Sequence, residues 1–306
     1  MKSLLDLFAS IFAWDFITAL CVNGRDFAID PRKSARGLVS GLTLLSQVGA
    51  RQEMAVDPKS RFTDRVEDYV QFRPGYPPAL FRELTRIANL CPDRVVADVG
   101  SGTGIFARSL LRTGARVIAV EPNAAMRAAA YAALSHEPHF TSLNGSAEAT
   151  GLADASVDLV AAAQAFHWFD PAKARVEFGR ILRPGGLVAL VWNQRKDTPF
   201  NRDYDSMLNR LAPDYHHVRE KDRAAESKVR AFYRPCAVHF AVFDNQQFLD
   251  EAGLRGRLNS SSYAPRRGQP GYEEILRELN ALFPAHQKDG LVTIAYDTVL
   301  WCGSLV

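Results

Sequence analysis

Residues 94–121 constrain the fold more than any other part of the chain. The run RVVADV (94–99) is short, apolar and rich in valine, which predicts a strand. Gly100-Ser-Gly102-Thr-Gly104 follows, then IFARSLLRTG, whose Ile105, Leu110 and Leu111 face inward and whose Gly114 stops a helix. ARVIAV (115–120) predicts a second strand, ending at Glu121. A strand, a crossover helix and a second strand wind right-handed into a parallel pair. Parallel sheets are covered on both faces, so this unit commits the chain to an α/β architecture.

The same turn limits the ligand. Glycines let a ligand approach the backbone, and the helix N-terminus beyond favours an anionic group. A dinucleotide fingerprint reads G-x-G-x-x-G. Here the spacing is G-x-G-x-G, with Phe106 and Ala107 following. No Gly-Lys-Ser/Thr follows, which excludes a P-loop. Asp98, two residues before the first glycine, is unfavourable beside a pyrophosphate but suits a positive amine. Glu121, 23 residues after Asp98, sits where a carboxylate can accept both hydroxyls of a ribose. Together they favour a nucleoside carrying an amino acid over a dinucleotide.

The alternation of strands and helices continues downstream. Pro122 opens an alanine-rich helix containing Met126. HFTSLN (139–144) predicts a third strand, and a loop carrying Ala147 and Glu148 follows. VDLVAAA (157–163) is a near-continuous apolar fourth strand, running into Gln164-Ala-Phe-His-Trp-Phe-Asp170. Pro171 opens the next helix, Arg183 to Gly186 form a turn, and LVALVWN (187–193) is the fifth strand. Asp98, Glu121, Gln164 to Trp168 and Asn193 then share the carboxyl edge of the sheet, where ligands bind in open α/β folds. After Asn193 a segment rich in Arg, Asp, His and aromatics interrupts the sheet. AVHFAVFD (237–244) alternates as a strand, and Phe248 and Leu249 begin a short helix stopped at Gly253. LRGRLNSSS (254–262) is read as the sixth strand, YEEILRELNALF (272–283) as an amphipathic helix, and Leu291 to Trp301 as an antiparallel seventh strand at the sheet edge.

Composition removes several classes. At 306 residues with 47% apolar and 23% charged residues, the chain is neither disordered nor a fibrous repeat. Cys21, Cys91, Cys236 and Cys302 are far apart with no paired spacing, which argues against a disulfide framework or a metal site and for a reducing, cytoplasmic setting. The net charge of +3 is too balanced for a nucleic-acid footprint. The first residues are unusual. LLDLFASIFAWDFITALCV (4–22) carries Asp6 and Asp15 within an apolar run, and its uninterrupted part is too short to span a bilayer. The expectation is an amphipathic helix packed on the domain or on a second subunit, with no membrane insertion.

Several linked motifs resemble one family. VADVGSGTG, Glu121 followed by Pro122 and Asn123, the loop SAEA, the block AAQAFHWFD, the turn LRPGGLVALVWN and the leading YVQFRPGYP are similar to the class I S-adenosylmethionine-dependent methyltransferases. Within them the pattern is similar to the small-molecule group related to trans-aconitate methyltransferases. The resemblance covers roughly residues 60–306. It implies a Rossmann-like seven-stranded, mostly parallel sheet with an antiparallel last strand, helices on both faces and a substrate-covering insertion after strand 5. The implied organisation is an N-terminal helical extension (1–55), a cofactor-binding half (56–193), a cap or lid (194–250) and a completion of the sheet (251–306).

The resemblance also implies roles for individual residues. Asp98, Gly100, Ser101 and Gly102 lie by the methionine part of S-adenosylmethionine. Glu121, with Pro122 beside it, holds the ribose, Asn123 and Met126 flank the adenine, and Ala147 and Glu148 meet its edge. Gln164 and Ala165 lie under the sulfonium region. Tyr69, Arg73 and Tyr76 belong to an arm closing over the methionine carboxylate, which Arg73 can pair. His167 and Trp168 face the acceptor, and Tyr76, Phe169, Tyr215, Tyr233, Tyr263 and Tyr296 are further candidates for that side. In-line attack on the sulfonium methyl demands mainly positioning. A hydroxyl or enol acceptor gains from a base near neutrality, which His167 can provide. The expected products are a methylated small molecule, through an oxygen atom first, and S-adenosylhomocysteine. N- or C-methylation, or a silent binding protein, stay open at this level. His216 and His217 are adjacent and lack a third ligand, so no metal is expected. A monomer or a homodimer paired through residues 1–55 is expected.

Overall fold

The computed structural model describes residues 65–216 and 225–306. The N-terminal amphipathic helix, the 1–55 extension and His217 lie outside the described residues. The described chain begins with an arm helix α1 (Val66–Phe72) and α2 (Pro78–Ala88). The first βαβ unit follows as β1 (Val95–Val99), α3 (Ile105–Leu111) and β2 (Arg116–Val120). Next come α4 (Ala124–Leu134), β3 (Phe140–Leu143), β4 (Val157–Ala163), α5 (Pro171–Ile181) and β5 (Leu182–Arg195). Beyond β5 lie α6 (Pro199–Leu211), α7 (Ala225–Tyr233), β6 (Val238–Leu249), α8 (Glu251–Asn259), α9 (Tyr272–His286) and β7 (Val292–Gly303).

The strands form one seven-stranded sheet in the order β3-β2-β1-β4-β5-β7-β6. Pairs from β3 to β5 are parallel, while β7 runs antiparallel to both neighbours, β5 and β6. The order reverses beside β1, and this reversal opens a crevice at the carboxyl edge. Alternate residues of β1 fall into separate cores. Ala97 and Val99 join Val160, Phe178 and Leu190, whereas Val96 joins Leu84, Leu110 and Val191. Both faces of the sheet are therefore buried, which is why its strands read as apolar runs. A third core joins α6, α8 and α9 to the first half of β7 through Tyr204, Leu208, Leu258, Ile275 and Ile294.

Three expectations are corrected. Residues 254–262 are not the sixth strand; most of them form α8. Asp250 caps this helix by accepting from Gly253 N–H at 2.7 Å, and Leu254 and Leu258 are buried four residues apart. The relevant period is helical, and a capping aspartate outweighs the helix-weakening glycines. Phe248 and Leu249 end β6 instead of starting a helix. Finally, β7 is not at the edge. It is inserted between β5 and β6, and β6 is the edge strand. Twelve-residue β6 and β7 pair along their whole length, so β7 satisfies two ladders while Phe240, Val242 and Phe248 of β6 stay exposed. Residues 194–250 accordingly contain a strand of the sheet as well as the helices α6 and α7.

Candidate functional site

The carboxyl edge of the sheet opens into a cavity of about 730 Å³. Its floor is the turn after β1. Gly100 N–H donates to Val120 O at 2.8 Å, tying the turn to the end of β2. Gly100 has φ +69°, and a Cβ there would stand 2.6 Å from the Cβ of Ala165. Only glycine lets the β1 turn and the β4 turn approach this closely. Gly102 has φ +56°, and a Cβ there would meet nothing within 4 Å, so its backbone lies open to the cavity.

Two carboxylates flank this turn. Glu121 follows β2, where its Oε2 accepts from Gly102 N–H at 3.0 Å and its Oε1 from Asn123 N–H at 2.8 Å. Each oxygen keeps acceptor capacity for a further donor. Burial pushes its pKa up, and the two backbone donors and Arg127 oppose the shift. Asp98, at the end of β1, is fully buried, and neither carboxylate oxygen has a hydrogen-bond partner of good geometry. Burial first, and then the charge of Glu121, push its pKa up to about 7, with only the Ala107 backbone N–H acting against the rise. The hydroxyls of Ser101 and Thr103 are likewise buried without partners beside it. A cradle with an orphaned carboxylate, two orphaned hydroxyls and open glycine backbone fits a ligand that brings a cation and further polar groups.

The adenine-side expectations cluster on the far wall. Asn123 caps α4 by accepting from Met126 N–H at 3.0 Å, and Pro122, Asn123, Met126, Ala147 and Glu148 all line the cavity. Glu148 is held by Asp170 N–H at 2.9 Å. After β4 the chain turns sharply. Gln164 takes φ +57°, a strained value for a side chain other than glycine, and donates from Nε2 to Asn193 O at 3.3 Å. A short 3-10 turn (Phe166–Trp168) then brings His167 and Trp168 to the cavity with their rings 4.8 Å apart. Ala165 and Phe169 line it too.

The arm closes the opposite side. Asn193 and Asn245 both donate to Gly75 O, at 3.1 and 3.0 Å, and Gln247 donates to Phe72 O at 2.8 Å. Arg73 donates to Ser260 O at 2.7 Å and stacks over the Tyr69 ring at 4.7 Å. Tyr76 packs edge-on against Phe106 at 4.9 Å. Tyr69, Arg73 and Tyr76 all line the cavity.

Of the tyrosines read as candidates for the acceptor side, Tyr215, Tyr263 and Tyr296 line the cavity and Tyr233 does not. The Tyr233 phenol is buried in the core, between Val188 O at 2.9 Å and Trp301 O at 3.1 Å. An aromatic in an interrupted segment looks the same in sequence whether it faces a pocket or plugs two strands. His216 does not line the cavity either. Sequence reasoning missed Arg195, Asp205 and Arg257. Arg195 extends β5 past Asn193 and donates to Asp205 Oδ1 from Nε at 2.9 Å and Nη2 at 2.6 Å. Arg257 sits on α8, hidden by the strand reading of that segment. Tyr263 lies among Arg195, Arg257 and Arg73. Burial alone would raise its pKa, but these guanidiniums outweigh burial and bring the phenol down to about 8. Among the described residues no cluster of three or more His, Cys, Asp or Glu side chains is placed to hold a metal ion, and no helix is long and apolar enough to cross a membrane.

Comparison with known proteins places this geometry. The family model described as a methyltransferase domain matches residues 97–190, from β1 into β5. An uncharacterized methyltransferase of Mycobacterium tuberculosis is 41% identical over 148 residues, which is 48% of this chain and 56% of that protein. The match thus spans little more than half the length of this mycobacterial relative. An uncharacterized methyltransferase-like protein of Schizosaccharomyces pombe is 28% identical over 253 residues, covering 80% of this chain and 94% of its own. A solved structure from Anaeromyxobacter dehalogenans, described as a candidate type II methyltransferase, is 30% identical with a TM-score of 0.57. It covers 77% of this chain and 99% of its own.

Proposed function

We propose, from the premise that this chain belongs to the class I S-adenosylmethionine-dependent methyltransferases, that it moves a methyl group from S-adenosylmethionine to a small-molecule acceptor. S-Adenosylmethionine supplies the methyl carbon on a sulfonium, already activated toward a nucleophile. The observation that carries the reading is the orphaned, fully buried Asp98 beside Glu121 across an open glycine turn. Asp98 suits the ammonium of the methionine part, because a buried carboxylate without partners gains most from a cation. Glu121 retains acceptor capacity for two ribose hydroxyls, and its backbone donors keep the carboxylate oriented for them. Arg73, which has no carboxylate partner among the described residues, suits the methionine carboxylate.

Acceptor chemistry follows from the opposite wall. Trp168, Phe169, Tyr215, Tyr263 and Tyr296 favour an aromatic or hydrophobic metabolite. An oxygen nucleophile is our reading, with His167 as orienter and base. Arg73 ties the arm to the residue that follows α8.

Calorimetry with S-adenosylhomocysteine tests the cofactor half of this reading. Wild-type protein is expected to bind it and Glu121→Ala to bind roughly 10- to 100-fold more weakly, the loss of charge-assisted hydrogen bonds. Absence of binding by the wild type, with binding of NAD instead, rejects the reading. A mass gain of one methyl in an incubated metabolite mixture supplies the acceptor.

A further inference from the structure

Among the described residues, the charge at the acceptor end of the cavity is not balanced. Three guanidiniums gather around Tyr263, those of Arg73, Arg195 and Arg257. Among the described residues, five carboxylates line the cavity: Asp98, Glu121, Glu148, Asp205 and Glu226. Asp98 and Glu121 flank the glycine turn, and Glu148 is held by Asp170 N–H. Glu226 pairs with Arg230 one helical turn away. Asp205 is left, and it is bound by Arg195. Among the described residues, three positive charges therefore meet one negative charge.

Arg257 is the most exposed in energetic terms and the least exposed to water. It is 4% accessible. Its hydrogen bonds go to neutral hydroxyls, Ser261 Oγ at 2.9 Å and Ser260 Oγ at 3.5 Å, and its Nε has no partner. Burial and the like charge of Arg195 work against its ionised form, while Tyr296, Tyr263 and Tyr204 outweigh them and raise its pKa. Tyr263 does not supply the missing charge at neutral pH, since a phenol titrating at about 8 is still mostly protonated at pH 7. A buried guanidinium without a counter-charge is expensive to keep, and hydrogen bonds to two serines do not offset that cost.

We propose that Arg257 is the anchor for a carboxylate on the methyl acceptor, which makes the substrate class an aromatic or hydrophobic carboxylic acid. The inference rests on the methyltransferase reading, because that reading assigns Arg73 to the carboxylate of the cofactor and so leaves a single charge for the acceptor. Tyr263 and Tyr296 flank the guanidinium and narrow the site to a flat group. A guanidinium offers a planar carboxylate two parallel donors, which would fix the acceptor's far end and orient its nucleophile toward His167.

The test titrates the full chain, loaded with S-adenosylhomocysteine, with aryl and alkenyl carboxylic acids, each paired with its primary amide. Cinnamic acid and cinnamamide form one such pair. The acids are expected to bind roughly 10- to 100-fold more tightly than their amides, the range of a charge-assisted bidentate contact. Arg257→Gln should reduce each acid to the level of its amide while leaving the affinity for S-adenosylhomocysteine within about twofold. Arg257→Lys, which keeps the charge and the fold but loses the planar fork, should retain an intermediate preference. The proposal is overturned if no acid in the panel outbinds its amide, or if Arg257→Gln keeps the preference. It is also overturned if Arg257→Gln weakens S-adenosylhomocysteine as much as Arg73→Gln does, which would assign the residue to the cofactor. Loss of S-adenosylhomocysteine binding by the wild type would instead strike the methyltransferase reading itself.

Discussion

Replacing Asp98 by Asn should make the ligand-free protein more stable and the cofactor complex weaker. The two effects have one cause. A carboxyl whose pKa rises on folding holds its proton more tightly in the native state. Its contribution is fully present below the unfolded value, near 3.8, and is lost as pH rises through the folded value of about 7. At about 1.4 kcal/mol per pKa unit, that rise is worth about 4 kcal/mol once both carboxyls are ionised. Asn stays neutral throughout and keeps the shape, so the variant escapes this loss. The stability advantage of Asp98→Asn should therefore grow between pH 4 and pH 7 and level off above about pH 8, with about 4 kcal/mol as its ceiling. Water entering the cavity and relaxation of Glu121 would lower the plateau. Urea denaturation across pH 4 to 8.5 reads the curve, and calorimetry with S-adenosylhomocysteine reads the opposite effect, an affinity roughly 10- to 100-fold weaker. A difference in stability that stays flat with pH would refute the assignment of an unpartnered, ionising Asp98. Unchanged affinity would refute its pairing with the ammonium.

Gly100→Ala should cost about 2–4 kcal/mol, because a Cβ at φ +69° would meet Ala165 Cβ at 2.6 Å. A thermal melt within error of wild type would show that the two turns can separate. Tyr233→Phe should cost about 1–2 kcal/mol in stability, for the phenol between Val188 O and Trp301 O, with kcat/KM unchanged. A change confined to KM would return Tyr233 to the acceptor site. His167→Asn should lower kcat roughly 100-fold or more and leave S-adenosylhomocysteine affinity intact. An unaltered kcat would remove His167 as the base.

The cofactor end was legible before any fold was known, and the acceptor end was not. Asp98, Gly100, Gly102 and Glu121 belong to consecutive elements of one βαβ unit. Their positions along the cavity are set by strand ends and a turn that local sequence specifies. Periodicity likewise announced β4 and β5, because a strand buried on both faces must be apolar throughout. Periodicity failed at α8, where two glycines and the serines that follow obscured a helix fixed by the Asp250 cap and the burial of Leu254 and Leu258.

The tertiary structure alone decided which arginines share a cavity. Arg73, Arg195 and Arg257 come from an arm, a strand extension and a late helix, and only packing of α8 under the arm assembles them around Tyr263. It also sent Tyr233 into the core and β7 between β5 and β6. These outcomes depend on contacts between residues far apart in the chain, where neither turn chemistry nor hydrophobic period carries information. The sequence by itself determined a mostly parallel α/β sheet whose carboxyl edge carries Asp98, the glycine turn and Glu121. The fold determined which charged side chains share the cavity, Arg73, Arg195, Arg257 and Asp205 among them.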